Sequence, residues 1–231
     1  MTTFPRYAIY YTPAADSDLH RFGTGLLGYD AFAVSDVPFP AEVLAEAPDW
    51  AALTGDPRKY GFHGTLKAPF PLAPGKTEAE LVAACEIFAA AARTIPMITP
   101  VVRAISGFIA VVPDTPSPDL NALAQDCVET FDRFRAPMSA EDRARRNPGA
   151  LTARQVEQLD RFGYPYVRDD FRFHMTLTGR LSPERNTQVL AMLQARFAAL
   201  DLTSLRIDRI ALFRQDDDRS RFRIMREMKL T

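Results

Sequence analysis

Histidine is scarce in this chain of 231 residues, which has three of them. Cysteine is scarcer still, with Cys85 and Cys127 alone, and tryptophan occurs once. Two cysteines without metal-ligand spacing exclude a disulfide framework and a cysteine-rich zinc module. Both sit in helix-like stretches and read as small buried hydrophobes in a reducing compartment, so a cytoplasmic location is expected. No apolar run approaches the roughly 20 residues that a membrane span requires. Residues 1–11 lack a basic stretch followed by an apolar one, so no secretory leader is expected. Excess charge of one sign is missing as well: 28 Lys and Arg nearly cancel 29 Asp and Glu. That balance argues against an extended nucleic-acid surface, which needs clustered positive charge. It leaves room for a small anion held by two or three local cations.

What is present is an alternation of strand-like and helix-like segments. Residues 6–12 are aromatic and β-rich and read as a strand ended by Pro13. A helix capped by Asp16 or Ser17 runs to Leu27 and is closed by Gly28. Residues 41–53 have helical spacing split by Pro48. Residues 61–68 form a strand stopped by Pro69 and Pro71, and 77–93 form an amphipathic helix with Thr77 and Glu80 as a capping pair. Strands are expected over 99–104 and 107–113, helices over 118–134 and 152–162, and a strand over 171–181. Residues 135–150, polar and carrying Arg143, Arg145 and Arg146, read as an exposed connector or flap. Ser182 and Pro183 open a helix to about Leu200, and residues 202–214 and 219–230 read as two strands joined through Asp216, Asp217 and Asp218.

Within this order one pentapeptide, Phe-His-x-Thr-Leu, occurs twice, at 62–66 and 173–177. The two copies hold two of the three histidines. Side chains alternate between faces along a strand. His63 and Thr65 therefore share one face, with Phe62, Gly64 and Leu66 on the other. His174 and Thr176 repeat the arrangement, with Phe173, Met175 and Leu177 turned to a core. Each motif strand precedes a long helix and then two strand-like stretches, which suggests an internal duplication.

Two histidines flanking one phosphorus suit in-line phosphoester chemistry. One neutral imidazole takes a proton from the attacking oxygen while the other, protonated, donates to the departing one. An imidazole titrates near 6.5, so both forms are accessible near neutrality. The threonine hydroxyls donate to non-bridging phosphate oxygens, and no metal is called for. Alternation adds Lys67 beside Thr65, and Arg172, Thr178 and Arg180 beside His174 and Thr176, as substrate-binding candidates. One of Tyr10 and Tyr11 faces the cleft while its neighbour is buried; Tyr10 is carried as the candidate.

A lone histidine on a strand is most often structural, and His20, without such a frame, is assigned to a helix surface. The repeat changes the weighing, because a duplicated core strand does not need histidine on its polar face. Arg133 and Arg135 either reach a substrate or complement a helix C-terminus. Tyr164, Pro165 and Tyr166 form either a stacking surface beside the site or a loop packed on the core.

Paired His-x-Thr motifs on two pseudo-symmetric lobes define the 2H phosphoesterase superfamily, which this chain resembles. Residues 60–70, 131–137 and 171–179 further resemble an uncharacterised bacterial branch encoded beside phosphonate-degradation genes. Gly64 departs from the alanine expected in that branch, on the face away from the cleft. The resemblance implies an α+β fold of two pseudo-symmetric lobes, each an antiparallel sheet with helices on its outer face, around a central cleft. One bilobal domain over 1–231 is expected, with the first motif in a lobe of roughly 1–115 and the second in roughly 116–231. It implies His63 and His174 as the acid–base pair and Thr65 and Thr176 as phosphate-binding hydroxyls, without a cofactor or metal. The substrate implied is a cyclic ribose phosphate from carbon–phosphorus bond cleavage.

Three other functions compete with such a cyclic phosphodiesterase. An RNA-end 2′,3′-cyclic phosphodiesterase or 2′,5′ ligase-like enzyme would want a basic, aromatic groove. A non-catalytic phosphate or nucleotide-binding module would use the threonines and cations without proton transfer. A zinc hydrolase fits least, since two histidines on separate strands lack the usual third ligand. Nothing in the sequence sets which histidine is the acid, or an oligomeric state.

Overall fold

The structure is a computed structural model describing residues 3–231. Met1 and Thr2, where the segment read for a leader begins, lie outside the described residues. Seven strands form the main sheet: β1 (Arg6–Tyr11), β2 (Gly64–Pro71), β3 (Pro100–Ile105), β4 (Phe108–Pro113), β5 (Met175–Thr176), β6 (Arg209–Gln215) and β7 (Arg223–Lys229). Five longer helices accompany them: α1 (Asp18–Leu27), α2 (Glu78–Ala90), α3 (Pro118–Asp132), α4 (Ala153–Phe162) and α5 (Pro183–Ala198). The strand order is β7-β6-β1-β2-β5-β4-β3, with every neighbouring pair antiparallel. The expected α+β class, with antiparallel sheet and helices outside it, is what the chain adopts.

Local chemistry sets the helix ends as read from sequence. Ser17 accepts from the His20 amide and Gly28 closes α1 in the left-handed region. Thr77 and Glu80 form a reciprocal capping box on α2. Ser182 caps α5, with Pro183 in its first turn where a missing N–H costs nothing. Helices α2, α3 and α5 cover one face of the sheet and share a continuous apolar core with it.

The halves do not divide at residue 115. The hairpin β3–β4, which follows the first motif in sequence, pairs with β5 of the second motif. The strands β6 and β7, which follow the second motif, pair beside β1 and β2. Each half therefore lends a hairpin to the other, a crossover that period-two patterning cannot reveal. The two half-sheets meet at one bridge, Gly64 opposite Met175.

The phenylalanine of each motif packs on a glycine. Phe62 lies against Gly23 of α1, and Phe173 lies over Gly64, where an added Cβ would come within 2.4 Å of the ring. Burying each ring contributes on the order of 1.5–3 kcal/mol, and the close approach needs the bare backbone. Gly64→Ala is expected to destabilise by roughly 1–3 kcal/mol through overpacking. Coupling Gly64→Ala to Phe173→Leu should recover part of that loss. Urea titrations of both variants check this; no recovery in the double variant would remove the ring contact as the cause.

Candidate active site

The bridge between the half-sheets sets the geometry of the motifs. With Gly64 opposite Met175 in an antiparallel pair, one further step either way sets His63 against Thr176 and Thr65 against His174. Directly opposed Cβ atoms lie roughly 5 Å apart and diagonal ones about 7–8 Å. Across the bridge each histidine thus faces the threonine of the other motif, and the two histidines stand on the diagonal, close enough for the charge of His174 to weigh on His63. His63, Thr65, His174 and Thr176 all line one cleft of about 370 Å³.

Both rings are oriented the same way. His63 Nδ1 is 2.9 Å from the Gly61 carbonyl, and His174 Nδ1 is 2.7 Å from the Arg172 carbonyl, each two residues back along the chain. A carbonyl only accepts, so Nδ1 donates and the neutral ring keeps its lone pair on Nε2. Thr65 Oγ1 lies 3.3 Å from His63 Nε2. Tyr10 is buried, lines the cleft and stacks on His63 with centroids 3.8 Å apart, whereas Tyr11 packs in the core beside Phe173. Phe108 meets His174 at 5.5 Å.

This wall of rings makes the imidazolium costly. Burial pushes His63 down to about 4, with the charge of His174 adding to the effect against the Gly61 carbonyl. Burial also lowers His174, opposed by the Arg172 carbonyl. In the absence of an anion both rings are neutral at pH 7.

Other sequence assignments change. Lys67 does not share the face of Thr65: Tyr10 pairs with Thr65 but Ile9 pairs with Lys67, so a bulge turns Lys67 to the helix side. There it is buried, with Nζ 3.0 Å from the Val128 carbonyl and 3.1 Å from Asp132 Oδ1. Arg172 lies outside β5, where alternation does not hold, and its guanidinium turns back to the carbonyls of Asp169 and Phe171. Regular pairing fails along much of 171–181 because its amides go elsewhere: Leu177 and Thr178 to Ile109, Gly179 to Leu53 and Leu181 to Gly107. Thr178 sits in the cleft wall fully buried, its oxygen accepting from the Ile109 amide. His20 is buried rather than on the surface, 3.5 Å from Asp30. Arg180 does reach the cleft, whereas Arg135 is tied to Asp132 and the Arg161 carbonyl. Of the basic cluster, Arg143 pairs with Asp160 and Arg145 with Asp142, and Arg146 alone lines the cleft.

Sequence reasoning missed Arg6, Asp56, Tyr60 and Phe108, which also line the cleft. Arg6 was findable, since it shares a face of β1 with Ala8 and Tyr10. Among the described residues no group of three or more His, Cys, Asp or Glu is placed to hold a metal.

Residues 65–223 match the model of a family described as a protein of unknown function, DUF1045. That is more than half of the chain. The chain belongs to DUF1045. It is 36% identical over 217 residues to "Ribose 1,5-bisphosphate phosphokinase PhnN" of Janthinobacterium sp. (strain Marseille), covering 91% of this chain and 48% of that protein. It is 31% identical over 221 residues to the protein of the same name from Laribacter hongkongensis (strain HLHK9), covering 96% and 51%. The chain therefore spans about half the length of these curated relatives. Among solved structures, it is similar to a conserved protein of unknown function from Agrobacterium tumefaciens str. C58, at 13% identity and a TM-score of 0.48 over 96% of this chain and 85% of that one. E. coli LigT complexed with NADP+ gives 15% identity and a TM-score of 0.39 over 98% of each chain. At those scores neither likeness bears on activity.

The depressed His63 makes stability depend on pH. Below about 6.5 the unfolded chain binds a proton at residue 63 that the folded chain refuses until about pH 4. Stability therefore falls as pH is lowered through that window, by up to about 3 kcal/mol from this residue. His63→Asn should flatten the dependence. Urea midpoints measured from pH 7 to 4 check this, and parallel curves for the two proteins would exclude His63 as the source.

Proposed function

We propose that this protein hydrolyses a cyclic phosphodiester on a small ribose phosphate, using His63 and His174 for proton transfer and no metal ion. The observation that carries the reading is the pair of imidazoles lining one cleft, each with Nδ1 tied to backbone so that Nε2 keeps the lone pair, that of His63 within 3.3 Å of the Thr65 hydroxyl. His63 Nε2 takes a proton from water as its oxygen attacks phosphorus. The bond from phosphorus to one ribose oxygen breaks, and His174 Nε2 gives that oxygen a proton. Thr65 and Thr176 donate to the non-bridging oxygens. We assign the base role to His63, which burial and the charge of His174 hold neutral, and the acid role to His174, whose protonation the charge of an incoming phosphate favours.

The relatives' name supports a substrate class. A phosphate bridging O1 and O2 of ribose 5-phosphate opens, by loss of the bond to O2, to ribose 1,5-bisphosphate, the compound named in that phosphokinase. Such a supply step fits phosphonate degradation and a cytoplasmic setting; no helix among the described residues is long and apolar enough to cross a membrane. A second reading is a 2′,3′-cyclic nucleotide or RNA end. It is favoured by an aromatic chamber of about 350 Å³ beside the cleft, lined by Phe108, Phe162, Tyr164 and Tyr166. Turnover of the ribose and nucleotide substrates side by side separates the two, and turnover of neither leaves a binding module.

His63→Ala and His174→Ala should each lower kcat by on the order of 10²–10⁴, and the double variant by less than the product of the two. Thr65→Val and Thr176→Val should cost less and act mainly on KM. Unchanged kcat in both histidine variants would end the assignment. Since both imidazoles are depressed, the bell of kcat/KM against pH should peak on the acid side of neutrality. The profile should be the same with EDTA; chelator-sensitive activity restored by zinc or manganese would overturn the metal-free mechanism.

A further inference from the structure

Most arginines of this protein are answered by a carboxylate. Among the described residues three that line the cleft are not: Arg180, which donates to the Ser106 carbonyl, and the pair Arg6 and Arg146. Arg6 Nε donates to the neutral Gln215 amide oxygen at 3.0 Å, and its guanidinium also meets the Tyr60 side chain. Arg146 lies over the Tyr164 ring at 5.7 Å. Among the described residues neither has an acidic partner, and the nearby acids are committed: Asp142 to Arg145, and Asp132 to Lys67 and Arg135. The one carboxylate lining the cleft, Asp56, lies beside Gly179, toward the other end of the central strands.

The two cations are close enough to weigh on each other. Arg6 is pushed below its usual value chiefly by burial, and the charge of Arg146 adds to the effect. Aromatic rings hold the pair in place, Phe4 and Phe222 flanking Arg6 at 5.3 and 5.5 Å and Tyr164 beneath Arg146. Like charges fixed together without a counterion make a site prepared for an anion with several acceptor oxygens. Arg6 and Tyr10 share a face of β1 four residues apart, roughly 13 Å between Cα atoms. The Tyr60 side chain that meets the Arg6 guanidinium has its ring 5.9 Å from the ring of His63. A single aromatic side chain thus spans the anion site and His63, and all of them line one cleft.

We infer that Arg6 and Arg146, with Tyr60, bind a second phosphate of the substrate, the one that does not react. The inference rests on the hydrolase reading above and adds to it a requirement: the preferred substrate is a cyclic ribose phosphate with a phosphate on its far end. Discrimination against the same ring with a free hydroxyl resides in these two arginines.

Two measurements test this. In the first, ribose 5-phosphate is titrated calorimetrically into the wild type, Arg6→Gln, Arg146→Gln and His174→Ala, each with its fold checked by circular dichroism. Each arginine variant should bind roughly 10- to 100-fold more weakly, with His174→Ala close to wild type. Weakening confined to His174→Ala, or no binding by the wild type, overturns the inference. In the second, ribose 1,2-cyclic phosphate is compared with and without a 5-phosphate. The arginine variants should raise KM for the 5-phosphorylated compound alone, with kcat nearly unchanged. Equal losses on both compounds, or none on either, overturn it. If the wild type turns over neither compound, the hydrolase reading fails, and the titration still decides the anion site. Arg146, exposed at the C-terminal end of the short helix 140–145, is the variant to rely on should Arg6→Gln fold poorly.

Discussion

The contact on which everything else depends is the backbone bridge between Gly64 and Met175. It is the place where two half-sheets become one, and it is made at the middle residue of each pentapeptide. Because strands alternate, joining the middle residues forces their polar neighbours into opposed pairs on one face. The phenylalanine of the second motif can reach its place only because position 64 has no side chain. The departure from alanine at that position is therefore matched to a ring packed directly above it.

The same packing shapes the chemistry. Rings stacked on His63 and tilted on His174 fix the imidazoles and shield part of each from water, and the backbone carbonyls only partly compensate. The site gains orientation at the cost of a native state that resists protonation. An anionic substrate reverses that balance, since its charge favours the imidazolium that burial disfavours. In the proposed reaction the empty and loaded sites would have opposite preferences for a proton, as a pair sharing one between them requires.

Much of this was legible in the sequence, and the failures have local causes. The repeated motif, the helix caps and the outward face of His63, Thr65, His174 and Thr176 follow from period and turn chemistry alone. Alternation stopped being a guide where pairing stopped being regular: at the bulge that turns Lys67 toward α3, and around Arg172, where the backbone is not a strand. His20 was misplaced because a helical pattern does not announce a buried partner, and Asp30 lies on a different element. Arg6 was visible one step further along a face already recognised through Tyr10. The exchange of hairpins was not visible, since strand order is decided by partners far apart in the chain.

That exchange has a consequence for how the molecule comes into being. Strand β1 lies between β2 and β6, and β6 is about 200 residues away along the chain. Loops of that length are entropically slow to close, and folding rates fall as contacting residues lie further apart. During synthesis β1 waits with an unpaired edge until residues 209–215 are made, an interval in which such an edge invites association with other chains. Keeping that edge covered until its partner arrives is a demand that this strand order places on the chain.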